Sequence, residues 1–141
     1  PANASSGGGF GDKDARSLDI LEEVGFERDS CVPYKTASVL PHGYLKRLEL
    51  ARLIALKSEI FILDELFSGL SIAEVTSIIP IIEKLLLDGK TVIMVEHRLK
   101  ELFRIADKVI VLNFGRKIKE GAPKDILEDE EVKKAYLGVE V

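Results

Sequence analysis

The chain has 141 residues, enough for one domain with a core of its own or for part of a larger one. Hydrophobic residues make up 46% and charged residues 31%, as in soluble globular proteins, and 20 basic against 24 acidic side chains leave a net charge of -4, so no nucleic-acid partner is expected. The single cysteine, Cys31, excludes an internal disulfide and is read as a packed side chain in a reducing, cytosolic setting. No apolar stretch reaches the ~20 residues of a membrane-spanning helix, the longest being broken by Pro80 or by Glu83 and Lys84, so any membrane role is peripheral.

Residues 1–13 begin without Met, are rich in Ser, Gly and Ala, and read as a linker, a disordered start or a chain that opens partway through something larger. Their glycines do not make a phosphate loop: aligned on Lys13, Asp12 stands where glycine is needed and Asp14 where a hydroxyl must meet Mg²⁺. From Asp14, Leu18, Leu21 and Val24 recur at helical spacing, and Gly25 sits where a left-handed C-terminal residue belongs. Residues 26–39, with Pro33, read as a loop leading to Leu40, Pro41, His42, Gly43 and Tyr44.

The next helix carries Leu45, Leu48, Ala51, Ile54 and Ala55 on one side, with Leu50, Leu53 and Leu56 widening the apolar surface, which predicts burial on two sides. Its start at Gly43 offers free backbone N–H groups and the positive end of the helix dipole to a phosphate. The plainer alternative is a glycine that only relieves crowding.

Ile60, Phe61, Ile62 and Leu63 then run into Asp64 and Glu65, with Ser68-Gly69 close behind. The pattern predicts a buried strand that delivers two carboxylates to a cleft at its carboxyl end. Mg²⁺ takes hard oxygen ligands and an attacking water needs a carboxylate to orient or deprotonate it, so the two acids divide those tasks. A carboxylate that merely caps the following helix is the competing reading.

A helix is predicted over 72–88 from Val75, Ile78, Ile79, Ile82, Leu85 and Leu86, with a kink or break near Pro80 and an end at Gly89. A second buried strand over 91–95 ends in Glu96-His97, a helix over 99–106 follows, and a third strand is expected over 108–112. The turn at 113–116 and the alternation over 117–120 predict a closing antiparallel hairpin; Pro123 suits a first helical position, and Asp129, Glu130 and Glu131 start a last short helix ending at Gly138. The alternation of strands and helices predicts a parallel sheet covered by helices, with Asp64, Glu65 and His97 turned to one crevice at its carboxyl ends. A zinc site from His42, His97 and Cys31 lacks a local ligand pair at the usual spacing.

From Ala15 to Val141 these residues resemble the carboxyl-terminal part of the nucleotide-binding domain of ABC-type ATPases. Leu40 to Tyr44 and the helix behind them resemble the signature motif, residues 60–65 Walker B with the catalytic glutamate, Ser68, Gly69, Leu70 and Ser71 the D-loop, and His97 the switch histidine. The strand end Val95-Glu96-His97, Asn113 to Ile118, Glu120 to Pro123 and Ala135 to Gly138 are most similar to branched-chain amino acid importer subunits. The implied fold is α/β: a partial P-loop NTPase-like parallel sheet with flanking helices, a signature-bearing helical subdomain over 14–57, and the end of the ATPase core over 58–141.

The resemblance implies ATP and Mg²⁺ as ligands, Asp64 supporting the metal, Glu65 polarising water and His97 contacting the γ-phosphate. Leu40, Pro41, His42, Gly43 and Tyr44, with Ser68, Gly69, Leu70 and Ser71, are the nucleotide-binding residues it implies; His42 and Gly43 would touch the γ-phosphate of ATP on a second ABC-type ATPase subunit in a head-to-tail dimer, docked on membrane permease subunits at the cytoplasmic face. The chain departs from the pattern at Pro41, His42, Tyr44, Leu66 and Ser71, and it has no Walker A loop, adenine-stacking aromatic or Q-loop. The absent phosphate-loop strand leaves an open sheet edge or a missing layer, so the isolated chain is expected to be marginal, to oligomerise or to be part of a longer product. A non-hydrolysing interaction module or inactive fragment is the alternative function.

Overall fold

A computed structural model describes residues 10–137, and the chain divides into two compact units, one ending at Val95 and one beginning at Glu96. In the first unit, helix α1 (Phe10–Glu23) starts four residues ahead of the expected Asp14, so the linker read over 1–13 gives way to helix at Phe10; its first nine residues lie outside the described part. The end is as expected. Gly25 takes φ +88°, its N–H bonds to Glu22 O at 2.9 Å and that of Phe26 to Leu21 O at 2.9 Å, the paired bonds that close a helix through a left-handed residue. Two single 3₁₀ turns, Val32–Tyr34 and Ala37–Val39, punctuate the loop, in which Cys31 is exposed rather than packed.

Helix α2 (His42–Ala55) buries Leu50 and Ala51, while Leu45, Leu48, Leu53 and Ile54 are half-buried and Leu56 is exposed. It is therefore not enclosed on two sides: its apolar surface is wider than the part that its neighbours in this unit cover. Arg47 joins α2 to two other helices. Its guanidinium donates to Val24 O at the end of α1 and to Ser77 Oγ, each at 2.6 Å. Ser77 lies in helix α3 (Ile72–Leu87), which runs through Pro80 without a break and ends at Gly89, φ +77°, with the same paired bonds as α1.

Strands β1 (Ile60–Asp64) and β2 (Thr91–Val95) pair in parallel, Ile62 opposite Ile93 and Asp64 opposite Val95. Phe61 and Leu63 turn to the core that holds Val75, Ile78, Ile79 and Ile82 of α3. The other face is uncovered: Ile60, Ile62, Ile93 and Val95 are 50–69% exposed. Burial on both faces, expected from the apolar runs, is not what this two-stranded sheet has.

The second unit begins with helix α4 (Leu99–Ile105) and continues with β3 (Val109–Asn113) and β4 (Arg116–Gly121), which form the expected antiparallel hairpin. β3 is thus a hairpin strand and is not laddered in parallel. Phe114 and Gly115, φ +46° and +74°, make the tight two-residue turn. Helix α5 (Pro123–Glu128) opens on its proline, and Asp129 caps the next turn (Glu130–Val132) by accepting from Glu131 N and Val132 N, before a π-helical Lys133–Leu137; the predicted end at Gly138 lies outside the described residues. Val109, Val111, Ile126 and Val132 form the core, with Phe103, Ala106 and Ile118 against it.

Glu120 is held between Lys108 and Lys117, the latter at 2.7 Å, and these two partners lower its pKa from 4.5 to about 2. A depressed carboxylate pKa stabilises the fold above the unfolded value and stops doing so as pH falls through the folded one. The difference in urea midpoint between the unsubstituted chain and Glu120→Gln is expected to be complete above pH 4.5 and to vanish near pH 2. A difference that persists unchanged to pH 2 would remove this role.

Candidate functional site

β1 carries the two carboxylates to an exposed tip, because the pleat that buries Phe61 and Leu63 sends Ile60, Ile62 and Asp64 to the other face. The chain then turns sharply. Glu65 adopts φ +46°, a left-handed backbone that a non-glycine residue enters at a cost of about 1–3 kcal/mol and keeps only when its surroundings fix it. The fixing contacts are plain: Glu65 N–H donates to Val95 O at 2.9 Å, Ser68 N–H donates to Glu65 O at 3.0 Å, and Leu66, Phe67 and Leu70 are buried. Two exposed acids therefore stand on a turn whose next residues are pinned in the core.

The turn hands over to α3 through a capping box. Ser71 Oγ accepts from Glu74 N at 3.2 Å, and the Glu74 carboxylate accepts from Ser71 N at 2.8 Å and Ser71 Oγ at 2.7 Å. Those bonds from Ser71, aided by the charges of His42 and Arg47, hold the Glu74 carboxyl below its usual range. The same carboxylate lies over Gly43: a Cβ there would run into Glu74 Oε1, so this buried position has room only for glycine.

His42, at the start of α2, reaches the turn from the other side, with Nε2 3.1 Å from Ser68 O. His42, Lys46, Asp64, Glu65, Ser68 and Gly69 together line an open cleft of about 390 Å³. Among the residues expected at the site, this brings together Asp64, Glu65, His42, Ser68 and Gly69. Leu40 is half-buried and Pro41 exposed, the latter preceding α2 at φ -56° and ψ 152°. Tyr44 packs edge-on against Phe26, ring centres 5.0 Å apart, and Leu70 is buried. Ser71 caps α3. His97 is an exposed residue of the second unit, two positions after β2.

Lys46 was not singled out by its sequence context, although it stands four residues after His42 and so shares its side of the helix. It adds a cation to a cleft with two carboxylates. The Ser71–Glu74 box was also readable as S-x-x-E ahead of an apolar helix. Among the described residues no cluster of three or more His, Cys, Asp or Glu is placed to hold a metal, and no helix is long and apolar enough to cross a membrane. Asp64 and Glu65 fit Mg²⁺ of the kind that takes one or two carboxylates and completes its shell with water and phosphate oxygens.

No family profile matches the chain. It is 33% identical over 128 residues to the lipopolysaccharide export system ATP-binding protein LptB of Escherichia coli, an alignment covering 89% of this chain and 51% of LptB. It is 35% identical over 105 residues to the high-affinity branched-chain amino acid transport ATP-binding protein BraF of Pseudomonas aeruginosa, covering 74% and 41%. The dimeric structure of a bacterial ABC transporter cassette superposes with a TM-score of 0.71 at 24% identity, over 87% of this chain and 51% of that one. The chain spans about half the length of the relatives it matches. In sequence the chain is similar to ATP-binding proteins of ABC transporters, and it shares the fold of about half of an ABC cassette.

Proposed function

We propose that this chain supplies the hydrolytic carboxylates and the signature region of an ABC-type ATPase subunit that powers a membrane transporter. The observation that carries the reading is the cleft in which Asp64 and Glu65, on a strained and anchored turn, face the start of α2. Asp64 holds Mg²⁺ through its water shell, and Glu65 orients the attacking water and takes its proton. Mg²⁺, when bound, neutralises charge on the phosphates. His97 contacts the γ-phosphate, and Gly43 with the N-terminal N–H groups of α2 faces nucleotide held by a second subunit in a head-to-tail dimer.

The subunit acts peripherally at the cytoplasmic side, beside permease subunits. An importer of branched-chain amino acids or similar solutes is the finer reading, supported by the likeness to BraF; LptB, whose name assigns it to lipopolysaccharide export, is matched over more of the chain. The second reading is an interaction module without hydrolysis. Pro41 favours it, since it removes both a hydroxyl and a backbone donor where the signature has serine, and so does the uncovered sheet face.

A grafted cassette distinguishes the two: the part of LptB that this chain does not match, joined to this chain, is expected to release phosphate from Mg-ATP and to stop doing so with Asp64→Asn. Nucleotide binding without any phosphate release by the grafted cassette favours the interaction module instead.

A further inference from the structure

We propose that His42 is a positioning residue, holding the turn that carries Glu65 against the start of α2 through one hydrogen bond from its Nε2–H to Ser68 O. The separation is 3.1 Å, and a carbonyl oxygen only accepts, so the ring must carry its hydrogen on Nε2. In the neutral imidazole Nδ1 is then a bare acceptor, with nothing to donate to a phosphate oxygen. The resemblance assigned His42 to nucleotide on the opposite subunit. Its geometry assigns it to its own chain.

The turn is shaped for this partner. Gly69, φ +73°, brings its backbone so close to the ring that a Cβ would sit 3.1 Å from His42 Nε2 and 3.2 Å from Cδ2. One residue further along α2, Gly43 lies against the Glu74 carboxylate that caps α3. The first two residues of α2 therefore reach both sides of the turn, His42 at Ser68 and Gly69 and Gly43 at the capping box. Leu66 and Phe67 anchor the same turn from the core side, so His42 closes the side on which the carboxylates are exposed. A displacement of this turn moves Glu65, whose carbonyl accepts from Ser68 N–H. The effect on hydrolysis rests on the ATPase reading; the tie itself does not.

The test uses the 141-residue chain. Nitrogen-15 spectra of the neutral imidazole are expected to show the Nε2–H tautomer, and an Nδ1–H tautomer would overturn the proposal even if substituted chains fail to fold. Amide exchange at Ser68 and Leu70 is expected to quicken roughly 2- to 10-fold in His42→Ala while the amides of Ile78 and Ile82 keep their rates. His42→Gln, whose amide nitrogen reaches the place of Nε2, should restore protection, and His42→Asn, which mimics only Nδ1, should not. Equal rescue by both, or equal acceleration throughout α3, would reduce His42 to general packing and overturn the proposal. In the grafted cassette the same order is expected in kcat with KM for Mg-ATP unchanged. A raised KM with kcat retained would make His42 a nucleotide contact. Loss of phosphate release by the unsubstituted graft counts against the ATPase reading alone, and the tautomer and exchange results still decide the tie.

Discussion

Glu65→Gln in the grafted cassette is expected to lower kcat for Mg-ATP by roughly 10²- to 10⁴-fold, with little change in KM, because it removes a general base and keeps nearly every atom of the side chain. The amide is uncharged and takes no proton at neutral pH, yet it fills the same space. The left-handed backbone at Glu65 is held by backbone bonds to Val95 O and Ser68 N–H and by the buried residues that follow, and the substitution leaves those backbone groups unchanged. Steady-state phosphate release beside nucleotide binding separates the two quantities. Retained kcat in the variant would remove the role assigned to Glu65 and leave the cleft as a binding surface.

Much of this arrangement was legible because local patterns and contacts agree. The run from Ile60 to Leu63 ending in two acids reads as a strand tip, Gly25 and Gly89 close helices with the φ their positions demand, and Pro123 opens one. The hairpin was legible for the same reason: Phe114-Gly115 fits a tight turn between two strands. Period alone could not say how much cover each element finds. Ile60 and Ile62 look the same in sequence as Phe61 and Leu63, but only the latter pair is buried, so the strand is half-buried.

The side of the site that depends on contacts between distant segments was not legible at all. Nothing in the sequence near His42 announces Ser68, and nothing near Gly43 announces Glu74. Nor does anything near Tyr44 announce that its ring packs edge-on against Phe26. The strain at Glu65 was equally hidden, since a glutamate in a left-handed turn contradicts local preference and persists only through burial further along. Such contradictions concentrate where a chain must aim a functional group.

Phe67→Ala is expected to destabilise the chain strongly. Its ring is fully buried, and removing a buried phenyl costs about 3–5 kcal/mol through lost transfer energy and the cavity left behind. Whole domains have only about 5–15 kcal/mol of stability, and this one has a sheet with one face uncovered, so the variant is expected to lose its cooperative urea transition or to shift it by most of its range. Phe114→Ala, at a side chain 99% exposed, should change the unfolding free energy by less than about 0.5 kcal/mol. Urea titrations followed by circular dichroism compare the two, and a Phe67→Ala transition within about 1 kcal/mol of the unsubstituted chain would show that the turn is not anchored there. The same substitution acts on chemistry. With Phe67 gone, the turn that holds Glu65 at φ +46° loses one of its buried anchors, and its carboxylate is expected to be aimed less sharply into the cleft. Hydrolysis by the grafted cassette should therefore fall even at temperatures where the variant is still folded, and Phe67→Leu, which refills most of the cavity, should recover both stability and turnover.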